Sequence, residues 1–340
     1  MPDQISSGAI KQPVSIVIAA HDQAAELERN LPRLLTLPYD GDFEVIVVDE
    51  SSTDETEDVL KQLKAQYPRL YTTYIPASSH YVSRRKLALT IGMKAAKYDW
   101  VIITEANCYP EQDEWLSTMT EAMTDDVDVV CGYTAYEEKT PARYAYLRML
   151  TFWRQGRKPY RYDGANLALR KSTFMQRNGF LKNLKFLRGE YDFLVNETPV
   201  KCIAVVKTPE GRMRQEAPVK KAWTNKNMYY MQIRSHLSRT FVPRLLFSIL
   251  QLFTHLCYLL AIAAIVVFAI MSNIIFLSAS IAFLLLLIGL RTFFGYRLAK
   301  RYGEHIAIWK MPLVDFGVAW HYVYYYLRYL KSDKYDFVRK

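Results

Sequence analysis

Cysteine is scarce in this sequence, and the spacing of the few cysteines excludes two kinds of site. The four are Cys108, Cys131, Cys202 and Cys257, far apart along 340 residues. Disulfide-rich secreted domains and structural zinc sites both need cysteines at short, patterned spacings. We therefore expect neither, and the low cysteine content agrees with a reducing compartment.

Charge is absent from one long stretch of the chain. No Lys, Arg, Asp or Glu occurs between Arg244 and Arg291. A membrane-spanning helix needs about 20 apolar residues, so this stretch is long enough for two, and Ser272-Asn273 is typical of a tight turn between them. The predicted transmembrane helices are residues 250–271 and 274–294. A buried hairpin of a soluble protein is the alternative, but a soluble core does not normally need so long an uncharged run.

Positive charge flanks the uncharged stretch on both sides. The flanking residues are Arg234, Arg239, Arg244, Arg291, Arg297, Lys300 and Arg301. A two-helix hairpin puts both flanks on one side of the membrane, and flanks rich in Lys and Arg stay in the cytoplasm. Residues 1–13 are polar and lack the apolar run of a signal peptide. We expect a multi-pass protein of the inner (cytoplasmic) membrane, with residues 1–240 as a cytoplasmic domain and 245–294 in the membrane.

Aromatic residues are dense in the segment that follows. They are Trp309, Trp320, Tyr322, Tyr324, Tyr325, Tyr326 and Tyr329. Tryptophan and tyrosine favour the membrane interface, so the sequence predicts an amphipathic helix at 313–330 on the cytoplasmic surface, with the basic tail 331–340 near the headgroups. A third transmembrane helix is the alternative, and Pro312, Asp315 and Arg328 argue against it. Residues 295–340 would then be a cytoplasmic interfacial segment.

The excess of basic residues bears on the partners of the protein. The formal net charge is +10. Such a charge suits a protein that lies on an anionic membrane or handles phosphates. No helix-turn-helix or RNA-binding motif accompanies it, so nucleic acid is not an expected partner.

Short apolar runs alternate with helical patterns in the first part of the chain. The predicted strands are 14–19, 43–49, 70–75 and 100–104, and the predicted helices are 26–35, a segment ending near 63, and 83–96. This alternation predicts an α/β fold with a mostly parallel sheet and helices on both faces. Ligands bind beyond the carboxyl ends of such strands. We expect His21, Asp49 and Glu105, each at or just past a strand end, to line one crevice.

Three polar motifs follow these strands. They read SIVIAAHDQ (15–23), VIVVDESSTDET (45–56) and TEANCYP (104–110). Ser and Asp after Asp49 can simply cap a helix, but capping does not require an acid at the strand end itself. The motifs resemble those of the family 2 inverting glycosyltransferases, in which a strand ends in P-x-Y/H-N and is followed by V-V-D-D-x-S-x-D and then D-x-D.

The resemblance implies a GT-A (nucleotide-diphospho-sugar transferase) fold and a donor site. The implied donor-binding residues are Ala20, His21, Asp49, Glu50, Ser52 and Arg85, and the expected donor is a UDP- or GDP-sugar. Glu105 and Asn107 stand where the family's D-x-D binds Mg²⁺ or Mn²⁺. Because hard cations prefer carboxylate oxygens and an amide removes one negative charge, this departure predicts a weakened metal site.

Two further segments resemble the acceptor side of the family. DGANLALRKS (163–172) is similar to G-x-N-x-A-x-R-R, which implies acceptor-side roles for Gly164 and Asn166. The helical segment 220–236 stands where the family has Q-x-x-R-W. It keeps Gln232 and Arg234 at a spacing one residue short, which argues against a processive synthase.

The segment RGEYDFL (188–194) resembles the E-D-x-D-L region that holds the family's catalytic base. Glu190 takes the position of the base, Gly189 replaces the preceding acid, and Asp192 is the fallback base. An inverting transfer needs a carboxylate that removes the proton of the attacking hydroxyl.

These observations predict a membrane-anchored inverting glycosyltransferase that acts on a lipid-linked or other glycan acceptor at the cytoplasmic face. Two alternatives stay open. A polyprenyl-phosphate glycosyltransferase would attack with a phosphate and would need no strong base. A catalytically inactive subunit that binds a nucleotide sugar as a scaffold would explain the departures at Glu105, Asn107 and Gly189.

Overall fold

The structure, a computed structural model, describes residues 11–76, 83–156 and 158–333. Within them the chain forms two compact units, the first from residues up to 134 and from 156 to 216, the second from residues 135–155 and from 217 onward. The chain thus enters the second unit twice, because the helix Ala142–Gln155 packs with C-terminal helices. The boundaries predicted at residues 240, 245 and 295 concern membrane placement and stay a prediction.

The strands and helices are as follows. The strands are β1 (Val14–Ala20), β2 (Phe43–Asp49), β3 (Leu70–Tyr74), β4 (Trp100–Thr104), β5 (Cys108–Pro110), β6 (Val129–Cys131), β7 (Thr134–Tyr136), β8 (Leu167–Arg170), β9 (Ile203–Val205) and β10 (Met213–Gln215). The helices are α1 (Ala24–Leu35), α2 (Thr56–Gln66), α3 (Arg84–Ala95), α4 (Trp115–Glu121), α5 (Ala142–Gln155), α6 (Lys171–Gln176), α7 (Glu190–Glu197), α8 (Lys220–Ile233), α9 (Phe241–Ile270), α10 (Ile274–Tyr302) and α11 (Met311–Lys331). Short 3₁₀ helices occupy Leu181–Asn183, Val200–Cys202 and Ile308–Lys310.

The first unit is built on a seven-stranded sheet with the order β3-β2-β1-β4-β8-β6-β9. Its strands pair in parallel, except that β8 runs antiparallel to β4 and β6. In the register of the central strands, Ala20 pairs with Asp49 and Ile18 with Thr104. The carboxyl ends of β1, β2 and β4 therefore meet at one edge, and the predicted mixed, mostly parallel sheet is confirmed.

Helices cover both faces of this sheet, as the alternation of elements predicted. Ile16 and Ile18 of β1 share one apolar cluster with Leu31 of α1. Successive side chains of a strand point to opposite faces, and Val17 accordingly contacts α3 on the other side. A Cβ on Gly92 of α3 would lie 2.4 Å from Val17 Cγ1, so glycine at this position lets the helix approach the strand closely.

The second unit contains two helices, α9 and α10, that are long and apolar enough to cross a membrane. The predicted turn between them is present: Ser272 has φ +53°, and the Asn273 side chain caps α10 by accepting from Phe276 N–H. α9 begins before the predicted span 250–271, and α10 ends after the predicted span 274–294, because the helical backbone continues into the charged flanks. Their apolar side chains are largely exposed, and no residue in the most apolar segment of α10 is buried.

The C-terminal helix α11 contains the predicted segment 313–330 and buries one stripe of side chains. The buried residues are Met311, Asp315, Val318, His321 and Tyr325, which recur at helical spacing. Aromatic side chains such as Trp320 and Tyr324 stay exposed. The helix predicted at 313–330 is therefore present, and its amphipathic, interfacial character stays a prediction. Most of the predicted basic tail, residues 334–340, lies outside the described residues.

Candidate active site

Asp49 ends β2 at the carboxyl edge of the sheet. Its Oδ1 accepts hydrogen bonds from the backbone N–H of Ser52, at 3.0 Å, and from the Ser52 hydroxyl. The side chain thus caps the turn, which is the simpler role that the sequence allowed. Its other oxygen, Oδ2, has no hydrogen-bond partner among the described residues, so one acceptor remains for a ligand.

The turn after β1 is tied to the turn after β2. Asp22 N–H donates to Ser52 Oγ at 2.9 Å, and Thr53 N–H donates to Asp22 Oδ1 at 2.6 Å. Ala20 is linked in the same way, since its carbonyl accepts from Glu50 N–H at 2.8 Å. The side chain of His21 is 54% exposed, so it faces solvent at this edge. The structure thus brings Ala20, His21, Asp49, Glu50 and Ser52 together.

Arg85 connects the donor side of this edge to α7. It lies in the first turn of α3, and its side chain is only 12% exposed. Its Nε donates to Glu190 Oε1 at 2.9 Å, and its Nη2 donates to Glu105 Oε1 at 2.7 Å and to Tyr191 Oη at 3.0 Å. One guanidinium thus joins the predicted metal position to the predicted base. We call Arg85, Glu105 and Glu190 the arginine bridge.

Glu190 begins α7 and is 5% exposed. Its Oε1 accepts from Arg85 and lies 3.4 Å from Arg188 Nη1, whereas Oε2 is buried with no hydrogen-bond partner among the described residues. Gly189, which replaces the family's acid, caps the helix at φ +96°, a left-handed conformation that glycine adopts without strain. The departure at Gly189 therefore has a backbone explanation.

Two buried acids of the site have shifted pKa values in opposite directions. Burial alone would raise the pKa of Glu190, but the positive charges of Arg188 and Arg85 outweigh it, so the net shift is downward. Burial raises the pKa of Glu50, and the charge of Arg85 only partly offsets that rise. Glu190 is consequently ionised at neutral pH, the state a base requires.

Asp192, the fallback base, has a different environment from Glu190. It lies on the same helix, and its Oδ1 accepts from Arg161 Nε at 3.1 Å and from Tyr162 N–H at 3.2 Å. These bonds fix α7 to the preceding loop. The assignment of the base to Glu190, with Asp192 as the fallback, stays a prediction.

The predicted metal ligands already bond to nitrogen donors. Glu105 Oε2 accepts from Gln215 Nε2 at 2.7 Å, and Oε1 accepts from Arg85. Asn107 Oδ1 accepts from the same Gln215 nitrogen at 3.1 Å. The described residues hold no group of three or more His, Cys, Asp and Glu side chains that could bind a metal together. A divalent cation needs several free oxygen ligands, so this arrangement does not fit Mg²⁺ or Mn²⁺.

Of the two predicted acceptor-side residues in the first unit, Asn166 is buried and Gly164 is half-buried. Asn166 is fully buried, and its amide is used internally: Oδ1 accepts from Trp115 Nε1 at 3.2 Å and Nδ2 donates to Gly211 O at 2.9 Å. It has no exposed atom with which to contact an acceptor. A Cβ on Gly164 would lie 2.6 Å from the Tyr162 hydroxyl oxygen, so this glycine gives room to the tyrosine. Both residues support the sheet edge from within.

Gln232 and Arg234 belong to the second unit. Gln232 lies in α8, and Arg234 caps the end of that helix, where its guanidinium packs 4.6 Å from the Tyr326 ring centroid. Their acceptor-side role stays a prediction.

Sequence reasoning missed Asp22, Tyr191 and Gln215. Asp22 directly follows a strand end and adopts φ +50°, which Asp tolerates better than most residues, so its position was a usable signal. Tyr191 and Gln215 contact the arginine bridge only through tertiary structure. Neither residue belongs to a motif from which its contact follows.

The sequence model of glycosyl transferase family 2 matches residues 15–183. This region belongs to that family. The matched region includes the site residues from Ala20 to Asn166. It ends just before α7, so Glu190 and Asp192 lie outside it. The chain also shares its fold with a solved structure, the mannosyltransferase PcManGT from Pyrobaculum calidifontis in complex with GDP-Man and Mn²⁺. The TM-score is 0.51 at 16% identity, covering 66% of this chain and 62% of that one, which confirms the predicted GT-A class.

Two curated proteins match shorter parts of the chain. Beta-monoglucosyldiacylglycerol synthase of a Synechocystis strain is 41% identical over 58 residues, 17% of this chain and 12% of that protein. A dolichyl N-acetyl-alpha-D-glucosaminyl phosphate 3-beta-D-2,3-diacetamido-2,3-dideoxy-beta-D-glucuronosyltransferase of Methanococcus voltae is 30% identical over 107 residues, 29% of this chain and 30% of that protein. The chain therefore spans less than a third of either relative.

Proposed function

We propose that the protein transfers a sugar from a nucleotide-diphospho-sugar to a hydroxyl group of an acceptor, with inversion at the anomeric carbon. In a single in-line displacement, the acceptor oxygen forms a bond to the anomeric carbon while the bond to the diphosphate breaks. The acceptor proton passes to a carboxylate, and the nucleoside diphosphate leaves with the electron pair of the broken bond.

The observation that carries this proposal is the environment of Glu190. Its Oε1 is held by Arg85, while Oε2 is buried without a partner among the described residues. A buried carboxylate oxygen without a hydrogen bond is costly, so such an atom points to a ligand group that donates to it. An acceptor hydroxyl is such a donor, and removal of its proton by a positioned base accelerates transfer about 10²–10⁴-fold.

The donor side is supported by the strand ends. The remaining acceptor of Asp49, Oδ2, suits a hydrogen bond from a nucleotide base or ribose. The fold neighbour PcManGT is in complex with GDP-Man, a sugar nucleotide of the expected class. We therefore propose a UDP- or GDP-sugar as the donor.

The acceptor is proposed to be lipid-linked, with the active site on the cytoplasmic side of the inner membrane. Both apolar helices expose large side chains, including Leu252 at 70% and Leu285 at 63%. An exposed apolar surface of this kind favours contact with lipid or with another protein, and the length of both helices favours lipid. The names of both curated relatives contain a lipid, diacylglycerol in one and a dolichyl phosphate in the other.

A divalent metal enters this proposal only through similarity. PcManGT is in complex with Mn²⁺, and Glu105 and Asn107 stand at the family's metal motif. Because both oxygens of Glu105 accept from nitrogen donors in this chain, no step of the proposed reaction runs through a metal.

The test is sugar transfer by Glu190→Gln in the purified, detergent-solubilised full chain. We expect transfer to fall about 10²–10⁴-fold while nucleoside diphosphate binding is kept, because only the base is lost. Glu197→Gln is the matched control, since Glu197 lies at the other end of α7 and is exposed. A panel of UDP-, GDP-, CMP- and dTDP-sugars supplies the donors.

The remaining outcomes identify the alternatives. Undiminished transfer by Glu190→Gln would indicate a phosphate acceptor, as in a polyprenyl-phosphate glycosyltransferase. Donor binding without transfer or hydrolysis by the wild type would indicate a scaffold subunit.

A further inference from the structure

We infer that this chain binds the donor diphosphate without a divalent cation, and that Arg85 supplies the positive charge that a metal supplies elsewhere. The inference rests on the proposed function, because it concerns the donor of that reaction. It follows from the hydrogen bonds of Glu105, the lack of charge on Asn107 and the environment of Arg85.

Both oxygens of Glu105 are already engaged by nitrogen donors. Each accepts a 2.7 Å hydrogen bond, one from Arg85 Nη2 and one from Gln215 Nε2. A cation at this carboxylate would have to share an oxygen with, or displace, a charged donor on one side and an amide on the other. Gln215 also donates to Asn107, so the three side chains Glu105, Asn107 and Gln215 form one hydrogen-bonded set.

The charges at this position balance without a metal. A D-x-D motif presents two carboxylates, which a dication neutralises. In this chain Asn107 has no charge, so the carboxylates around Arg85 are Glu105 and Glu190, and the guanidinium groups of Arg85 and Arg188 supply two positive charges against them. The replacement at position 107 and the ion pair at 2.7 Å are therefore consistent with each other.

Arg85 is fixed in its position. It is held by Glu105, Glu190 and Tyr191, and its side chain is 12% exposed. A metal ion at Glu105 would lie within a few ångströms of this guanidinium and would be repelled by it. Arginine is always charged and binds phosphate oxygens through its planar fork.

Arg85 also keeps donor capacity for a ligand. Its hydrogen bonds use Nε and Nη2, whereas Nη1 has no hydrogen-bond partner within the described chain. The two N–H groups of Nη1 are then left for the donor. A diphosphate oxygen is the ligand they suit, because charge-assisted hydrogen bonds to phosphate are among the strong ones.

The experiment measures binding of UDP and GDP to the full chain by calorimetry, once with EDTA and once with Mn²⁺. We expect the same dissociation constant in both conditions for whichever nucleotide binds. Electron paramagnetic resonance of Mn²⁺ titrated into the wild type gives a second readout that needs no variant, and we expect no tightly bound Mn²⁺. Affinity that rises about tenfold or more with Mn²⁺ would overturn the inference and leave the proposed function intact.

Variants of Arg85 test whether this residue supplies the positive charge that binds the diphosphate. Arg85→Gln should weaken nucleotide binding in EDTA about tenfold or more, because one charge-assisted interaction is lost. Lys94→Gln is the matched control: it removes the same charge from the exposed last turn of α3 and should change nothing. Arg85→Lys, which keeps the charge, should restore part of the affinity. Unchanged binding in Arg85→Gln would contradict the inference.

A double variant converts one kind of site into the other. Arg85→Gln with Asn107→Asp frees Glu105 and adds a second carboxylate, so we expect this protein to bind Mn²⁺ and to need it for nucleotide binding. Asn107→Asp alone should stay independent of Mn²⁺. If no nucleotide binds the wild type in either condition, the proposed function itself fails, and the inference fails with it.

Discussion

The two compact units distribute polarity in opposite ways. In the first unit the central strands are apolar and buried, with β1 and β4 buried at every position, and charged side chains gather where the strands end. In the second unit α9 and α10 expose their apolar side chains, and a charged pair lies inside. This pair joins Arg291 of α10 to Asp315 of α11, and Asp315 Oδ1 also accepts from the Tyr146 hydroxyl at 2.7 Å.

The difference indicates which surroundings each unit is built for. Apolar residues move out of water, so a unit with an apolar interior suits an aqueous environment. Exposed apolar helices with an internal ion pair suit lipid, where a charge needs a partner within the protein. Substitutions in each unit should therefore respond to water and lipid in opposite ways.

The internal charges of the second unit give the largest expected change. Arg291→Met leaves Asp315 buried without its cation and should lower the free energy of unfolding by about 3–5 kcal/mol. Thermal or denaturant unfolding in lipid bicelles measures it. Asp315 is 7% exposed, so water cannot readily replace the lost partner.

The double variant Arg291→Met with Asp315→Leu is the control for this change. Removing both charges should recover most of the lost stability, because an apolar pair of similar size often replaces a buried ion pair at little cost. If Arg291→Met is as stable as the wild type, the ion pair is solvated. The second unit would then not differ from the first by a charged pair in its interior.

The sequence predicted the frame of the first unit well, for a physical reason. The runs 14–19, 43–49 and 100–104 are rich in β-branched and other apolar residues, and parallel pairing then places their carboxyl ends together. Strand identity and the shared edge thus follow from local pattern. The apolar helices followed from the absence of charge between Arg244 and Arg291.

The side-chain contacts of the site could not be predicted in the same way. Arg85 and Glu190 are separated by 105 positions, and their ion pair depends on how α3 and α7 pack. Motif position gave Glu105 and Asn107 a metal-binding role, but it carried no information on the hydrogen bonds from Gln215. Motif position likewise could not show that Asn166 is buried.

A pair of matched leucines tests the environments of the two units directly. Leu285 of α10 is 63% exposed and Leu181 of the first unit is 64% exposed. In protein reconstituted into bilayers, Leu285→Arg should cost about 2.5–3.5 kcal/mol, because it puts a charge into hydrocarbon. Leu181→Arg should change stability by no more than about 0.5 kcal/mol, as an ordinary surface substitution does.

Unfolding of both variants in the same bilayers is the measurement. Equal and small effects at the two positions would show that α10 faces water. The predicted transmembrane hairpin would then be wrong, and the second unit would have to bury its apolar helices against another protein.

Lys86 is a buried cation of the first unit, and its titration gives the smallest expected effect. This lysine of α3 is fully buried, and its Nζ donates to the carbonyl oxygens of Asn183 and Phe186 at 2.7 and 2.6 Å. Burial lowers the pKa of Lys86 to about 8. Below about pH 8 the lysine is charged in both the folded and the unfolded chain, so the cost of burying the charge is constant there.

Between about pH 8 and 9.5 the folded chain loses the proton of Lys86 while the unfolded chain keeps it. The unfolded state then binds more protons at this residue, so Lys86 should make the free energy of unfolding rise with pH, by about 1–2 kcal/mol across this window. Cys131 acts in the opposite direction over the same window, because burial raises the pKa of its thiol and the thiol ionises only in the unfolded chain. The contribution of Lys86 is therefore measured as the difference between the wild type and Lys86→Met, at pH values below about 10, where unfolded tyrosines start to ionise. Lys86→Met should remove this contribution, and Lys94→Met should keep it. If the free energy of unfolding of Lys86→Met depends on pH as that of the wild type does, another group titrates in this window, and the prediction that the fold disfavours the charge of Lys86 is wrong.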